Sequence, residues 1–196
     1  TIMDPETVFF SRDTSIDKDV VIGANIVFGK KVSIESGVTI NSFCSIENSI
    51  IKQGASIGPF SRLRNGAEIG QDSKIGNFVE IKNSSLSEGV KVSHLSYIGD
   101  AEIGENSNIG AGTITCNYDG VDKHKTTIGK RAFIGSNSSL IAPLSIGDDA
   151  NIAAGSSISK DVESGSLAIT RAPIKFISNW SKKLRKSSSE EEKCAE

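Results

Sequence analysis

Aliphatic residues recur along this chain at every sixth position: Ile22, Phe28, Ile34, Ile40 and Ile46. After a one-residue slip the beat resumes at Ile51, Ile57, Leu63, Ile69, Ile75 and Ile81. Leu86, Val92 and Ile98 follow a second slip, and Ile103 and Ile109 a third. The last run is Ile128, Ile134, Leu140, Ile146, Ile152 and Ile158. A period of six fits neither a helical stripe nor a free-standing alternating strand. It fits a short strand plus a turn, repeated as one unit, with the aliphatic side chain inward. Glycine often follows, and a small residue tends to fall at the fifth place. Three such units close a triangular coil, and stacked coils make a solenoid. The expected class is therefore all-β, with Ile–Gly pairs that build a wall and carry no chemistry.

Composition supports a wall of that kind. There are 26 Ile against 7 Leu, and β-branched side chains suit a pleated, half-buried surface better than a helix face. A formal net charge of −2 argues against a dedicated nucleic-acid binder, which would carry a basic surplus. No apolar run approaches the roughly 18 residues of a membrane span, and no apolar stretch near the start reads as a signal peptide. Three scattered cysteines, at 44, 116 and 194, make neither a disulfide framework nor a zinc motif. A reducing cytoplasm is the expected setting. The first residue is Thr, so a fragment of a longer chain is expected.

The beat breaks between Ile109 and Ile128, at "GAGTITCNYDGVDKHKTT". The polar "NYDGVDKHK" reads as a loop thrown out from the coil, and loops on a rigid scaffold tend to carry function. The expected organisation is a lead-in over 1–14, the solenoid over 15–165 and a C-terminal arm over 166–180. The stretch 181–196, a basic block, a Ser run and an acidic block, reads as a disordered tail.

The hexad pattern resembles the bacterial hexapeptide-repeat acyltransferases, which implies a left-handed parallel β-helix with one ejected loop and a C-terminal arm. A narrower resemblance rests on "IGPFSRLRNGAEIG", "IGNFVEIKN", "SHLSYIGDAEIGENSNIGAGTITCNYDG", "TTIGKRAFIGSNSSLIAP", "IAAGSSISKDV" and "LAITRAP". These are similar to the C-terminal acetyltransferase domain of the bacterial bifunctional N-acetylglucosamine-1-phosphate uridyltransferase/glucosamine-1-phosphate N-acetyltransferases. The Gly-rich nucleotide-binding signature of that family's other domain does not occur here. Uridyltransferase activity is therefore not expected of this chain, and neither is the metal that accompanies it.

The reaction so implied moves acetyl from acetyl-CoA to the amine of glucosamine 1-phosphate. A base must free the amine's lone pair, and His is the side chain best suited near neutral pH. The chain has two, His94 and His124. Read alone, His94 could equally be a structural histidine at a coil corner; the resemblance makes it the base. His124 lies in the polar loop, where a passive role is expected. Glu80 is expected to orient His94 or to hold the amine. The resemblance puts the sugar phosphate on Arg64, Lys82 and Tyr97, the amino sugar on Asn108, and Lys123 over the phosphate. Asn117 and Tyr118 line both substrates, and acetyl-CoA falls on Ala111, Ser136, Ala154 and Arg171. Cys116 offers a rival covalent route, but the resemblance implies direct transfer. The resemblance further implies a homotrimer with sites between chains.

Other readings fare worse. A hexapeptide-repeat acyltransferase for another amino sugar or for serine would not need the Arg64, Lys82 and Tyr97 set. A carbonic anhydrase on the same scaffold needs three histidine ligands per site, against two histidines in all. An ice-binding solenoid would carry regular polar ladders, and none is present.

Overall fold

The computed structural model describes residues 1–181. The chain winds through three parallel sheets of nine, eight and nine strands, visiting them in turn, so that sheet neighbours are three strands apart in sequence. This is the parallel β-helix expected from the repeat, in the left-handed form that the resemblance implied. We call the sheets the first, second and third faces, in the order in which the chain meets them.

Each face carries one inward ladder. On the first, Phe28, Ile46, Leu63, Ile81 and Ile98 are in register, one per coil. Ile40, Ile57, Ile75, Val92 and Ile109 do the same on the third face. Nearly all of these are completely buried, and each such side chain is worth about 1.5–3 kcal/mol of burial. The small fifth residues fill the inner corners. Where they are serines, the hydroxyl is satisfied by donation: Ser61 to the Gly76 carbonyl at 2.7 Å and Ser96 to the His94 carbonyl at 2.8 Å.

The corners explain the rest of the composition. Most turn on a residue with positive φ, and along the corner between the first and second faces these include Lys31, Asn48, Asn65, Asn83 and Asp100. Asn and Asp tolerate this region because their short polar side chains bond locally. Lys31, exposed and at φ 58, has no such compensation. Lys31→Asn is therefore expected to stabilise the protein by about 0.5–1 kcal/mol, seen as a raised urea midpoint. A lowered midpoint would mean that Lys31 makes a contact worth more than the strain.

Three boundaries differ from expectation. Residues 1–14 are part of the first coil: Val8–Phe9 pairs with Ile26–Val27, and Phe10 stacks on Phe28 at 5.0 Å. The solenoid also runs past 165, because Leu167–Ala168 adds a strand beside Asn151–Ile152; Arg171 to Trp180 are exposed. Of the expected tail, 182–196 lies outside the described residues. The break in the beat is smaller than it reads. Ile114–Cys116 is a regular strand in which Thr115 takes the inward position between Ile98 and Leu140. Its hydroxyl accepts from the Gly99 N–H at 2.8 Å and donates to the Gly99 carbonyl at 3.0 Å, so a polar residue stands in an aliphatic ladder without an unmet bond. Only residues 117–125 leave the coil.

Candidate active site

His94 ends the third-face strand Lys91–His94, in register with Asn77 one coil earlier. Its Nδ1 lies 2.6 Å from the Asn77 side-chain oxygen. The imidazole is exposed, at the corner between the third and first faces. Glu80, expected to orient His94 or to hold the amine, stands opposite Tyr97 on the first face and accepts from Arg64 Nε at 2.6 Å. Asn77 was invisible as a partner in sequence. The signal was spacing, because a residue 17 positions back occupies the same place on the preceding coil.

One column continues from His94. The His94 carbonyl accepts from Gly112 N–H at 3.2 Å, that of Ala111 from Asn137 N–H at 2.7 Å, and that of Ser136 from Gly155 N–H at 2.8 Å. Asn77, His94, Ala111, Ser136 and Ala154 thus stack along one edge, coil by coil. Gly110 and Gly135 permit the spacing, since a methyl on either would meet the backbone amide of Ser136 or Ala154. Ser136 and Ala154 are exposed, and the Arg171 side chain reaches the same end of the column beside Gly155. The four positions Ala111, Ser136, Ala154 and Arg171 therefore lie in line with the histidine.

On the first face, Arg64, Lys82 and Gly99 form another row, in register. The Tyr97 ring lies across Gly99, where any side chain would collide with the phenol. Arg64, Lys82 and Tyr97 are thereby brought together. Both cations are already paired. The hydrogen bond that Arg64 donates to Glu80 raises the Arg64 pKa above its ordinary value, and Lys82 Nζ sits 3.0 Å from Asp100 Oδ2. Burial pushes the Asp100 carboxyl up, but hydrogen bonds from Asn83, Lys82 and Asn117 outweigh it and hold the group below its usual range. Asp100 did not stand out in the sequence.

The loop leaves at Asn117 and returns at Thr126. Tyr118 and Lys123 bridge antiparallel, and Asp119 accepts from the Val121 and Asp122 amides at 2.8 Å each and bonds His124 Nε2 at 2.6 Å. His124 is thus a clasp within the loop. Those bonds, led by that of His124, hold the Asp119 carboxyl far below the usual range. Lys123 borders an open hollow of about 590 Å³ with Asn83 and Asp100. Asn108 stands apart on the third face, between Lys91 and Phe133. Cys116 is half-buried, and burial pushes its thiol pKa up, which disfavours the thiolate that a covalent route would use.

The coiled six-residue units and their three-faced stacking give this chain the fold of a hexapeptide-repeat β-helix. The family model for the hexapeptide repeat of succinyl-transferase matches residues 125–160, and that for the GMPPB C-terminal domain matches 45–121. Within that class the sequence is similar to the C-terminal part of the bifunctional protein GlmU. It is 54% identical to that of Zymomonas mobilis over 94% of this chain and 41% of the relative. Identity to that of Wolbachia pipientis wMel is 56%, over 87% of this chain and 40% of the relative. The chain thus spans about two-fifths of the length of these relatives. Among solved structures, the UDP-N-acetylglucosamine acyltransferase of Francisella novicida has the same fold, with a TM-score of 0.79 at 19% identity over 87% of this chain and 67% of that one.

Proposed function

We propose that this chain acetylates glucosamine 1-phosphate with acetyl-CoA, giving N-acetylglucosamine 1-phosphate and CoA in the bacterial cytoplasm. The observation that carries the reading is that both sets border one face: the Asn77–His94–Ala111–Ser136–Ala154 column lies at its corner with the third face and the Arg64 and Lys82 row at its corner with the second, with Tyr97 between them. A proton on His94 Nδ1, donated to Asn77, leaves the lone pair on Nε2. Nε2 takes a proton from the substrate amine as the nitrogen bonds to the acetyl carbon. The carbon–sulfur bond breaks, and the proton passes to the leaving sulfur. Among the described residues, the N–H groups of Ala111 and Ser136 donate to no backbone carbonyl. A free amide beside the base suits the oxygen that becomes anionic during attack. The small side chains of the column suit a long, thin donor, with Arg171 attracting one of its phosphates. Arg64 offers a planar fork and Lys82 a point charge to the sugar phosphate. Tyr118 and Lys123 project from the loop toward substrates.

A homotrimer with sites between chains is part of the proposal. Phe43, Phe60 and Phe78 stack at 4.8 and 5.2 Å along the corner beside the base, and with Leu95 and Ile114 they remain about half exposed. An apolar edge of that length next to a site suits coverage by another copy. Light scattering would check the assembly state.

Free-thiol release from acetyl-CoA in the presence of glucosamine 1-phosphate tests the activity directly. Turnover is expected, and it should weaken when glucosamine lacking the phosphate is offered. No release by folded, trimeric protein would overturn the reading. Asn77→Leu is expected to lower kcat by up to about tenfold, the worth of one hydrogen bond, with both KM values little changed. An unchanged kcat would mean that Asn77 does not set the imidazole.

A further inference from the structure

Asp100 lies on the same coil as His94 and Tyr97, at the corner with φ 50. Three side chains from two segments converge on its carboxylate. Lys82 Nζ lies 3.1 and 3.0 Å from the two oxygens, Asn83 Nδ2 donates to Oδ1 at 2.6 Å, and Asn117 Nδ2 donates to Oδ2. Its backbone adds two more ties. The Asp100 N–H donates to the Lys82 carbonyl at 3.0 Å, and its carbonyl accepts from Thr126 N–H at 3.1 Å. The ejected loop is therefore held by one residue at both ends: through the side chain where it departs, at Asn117, and through the main chain where it returns, at Thr126.

Burial gives these bonds weight. Lys82 is 8% exposed and Asn117 7% exposed, deep enough that an ammonium without a counter-charge is costly. A solvent-facing carboxylate could leave without consequence, but this one is the only acidic partner of Lys82 among the described residues.

We infer that Asp100 is a positioning residue for the reaction proposed above: it fixes the Lys82 ammonium that meets the sugar phosphate and the root of the 117–125 loop as one unit. Its effect reaches the phosphate through Lys82 and the loop through Asn117. The inference rests on the proposed acetyl transfer for its kinetic consequences and on geometry alone for its structural one.

The test compares wild type, Asp100→Asn, Lys82→Met and the double variant, all in the full chain. Asp100→Asn keeps the shape and removes the charge. It should raise KM for glucosamine 1-phosphate about tenfold, as expected for losing a charge-assisted contact, with kcat within about threefold. In the Lys82→Met background the same change should move that KM by less than about twofold, because the two act as a unit. Hydrogen exchange at the Asp119 and His124 amides should accelerate in Asp100→Asn, since the loop root is loosened. A residue that merely supports folding would give additive KM effects that follow the thermal midpoint, and that result overturns the inference. So does an unchanged KM in an active enzyme. If wild type does not use glucosamine 1-phosphate at all, the functional reading has failed, and the exchange arm still decides: unaltered loop protection in Asp100→Asn removes the positioning role.

Discussion

His94→Ala should lower kcat for acetyl transfer about 10²–10⁴-fold, the usual contribution of a positioned general base. The side chain is exposed and packs into no ladder, so the thermal midpoint should stay within a degree or two of wild type. KM for acetyl-CoA should change little, because Ala111, Ser136, Ala154 and Arg171 are untouched. That split separates loss of chemistry from loss of binding. Added imidazole should restore part of the rate, since a small cavity is left where the ring stood. Equal turnover in variant and wild type would strip His94 of the role and leave the amine to be deprotonated by solvent. Glu80 is a weak substitute in this geometry, being engaged by Arg64 at 2.6 Å.

The prism could be read almost entirely from sequence because one residue in six is under the same constraint. An inward aliphatic on coil after coil leaves a mark that no local exception erases. Thr115 shows where such reading stops. It holds an aliphatic position by bonding its hydroxyl to Gly99 on the neighbouring coil, and a search for apolar residues passes over it. That one substitution made the interruption look twice as long as the nine residues that leave the coil. The site was legible in its individual residues but not in its pairings. Asn77 and Asp100 matter through neighbours 17 or 18 positions away, one coil along, and their spacing becomes meaningful only when the slips of the repeat are known. Glu80 illustrates the same limit. Fourteen residues from His94 places it on the preceding coil but on a different face, so proximity in coil number did not become a hydrogen bond.

The pairing of both cations also bears on how an anion would bind. Arg64 with Glu80 and Lys82 with Asp100 give a cluster with no net charge surplus. Attraction of a phosphate to it then depends on directed hydrogen bonds more than on bulk potential. Long-range steering, which would be screened by salt, has little to draw on in a chain of formal charge −2.

Ala154→Trp should raise KM for acetyl-CoA on the order of 10²-fold, a loss of about 3 kcal/mol of binding. Ala154 stands two coils beyond Ala111 in the column that starts at His94, and Ser136 lies between them. All three side chains are small, and those of Ser136 and Ala154 are exposed, so the edge is a shallow trough leading from the base to Arg171. An indole at 154 would stand across that trough. The fold should tolerate it, because the Ala154 side chain faces solvent and contributes nothing to the inward ladder carried by Ile152. The Arg64, Lys82 and Tyr97 row is on the first face, several coils away, so KM for glucosamine 1-phosphate should hold within about threefold. Measuring both constants in one assay tests the direction of the donor site as well as its existence. If instead the sugar phosphate suffers and acetyl-CoA does not, the two substrates lie the other way round along the edge, and His94 would have to be approached from the Arg171 end by the acceptor.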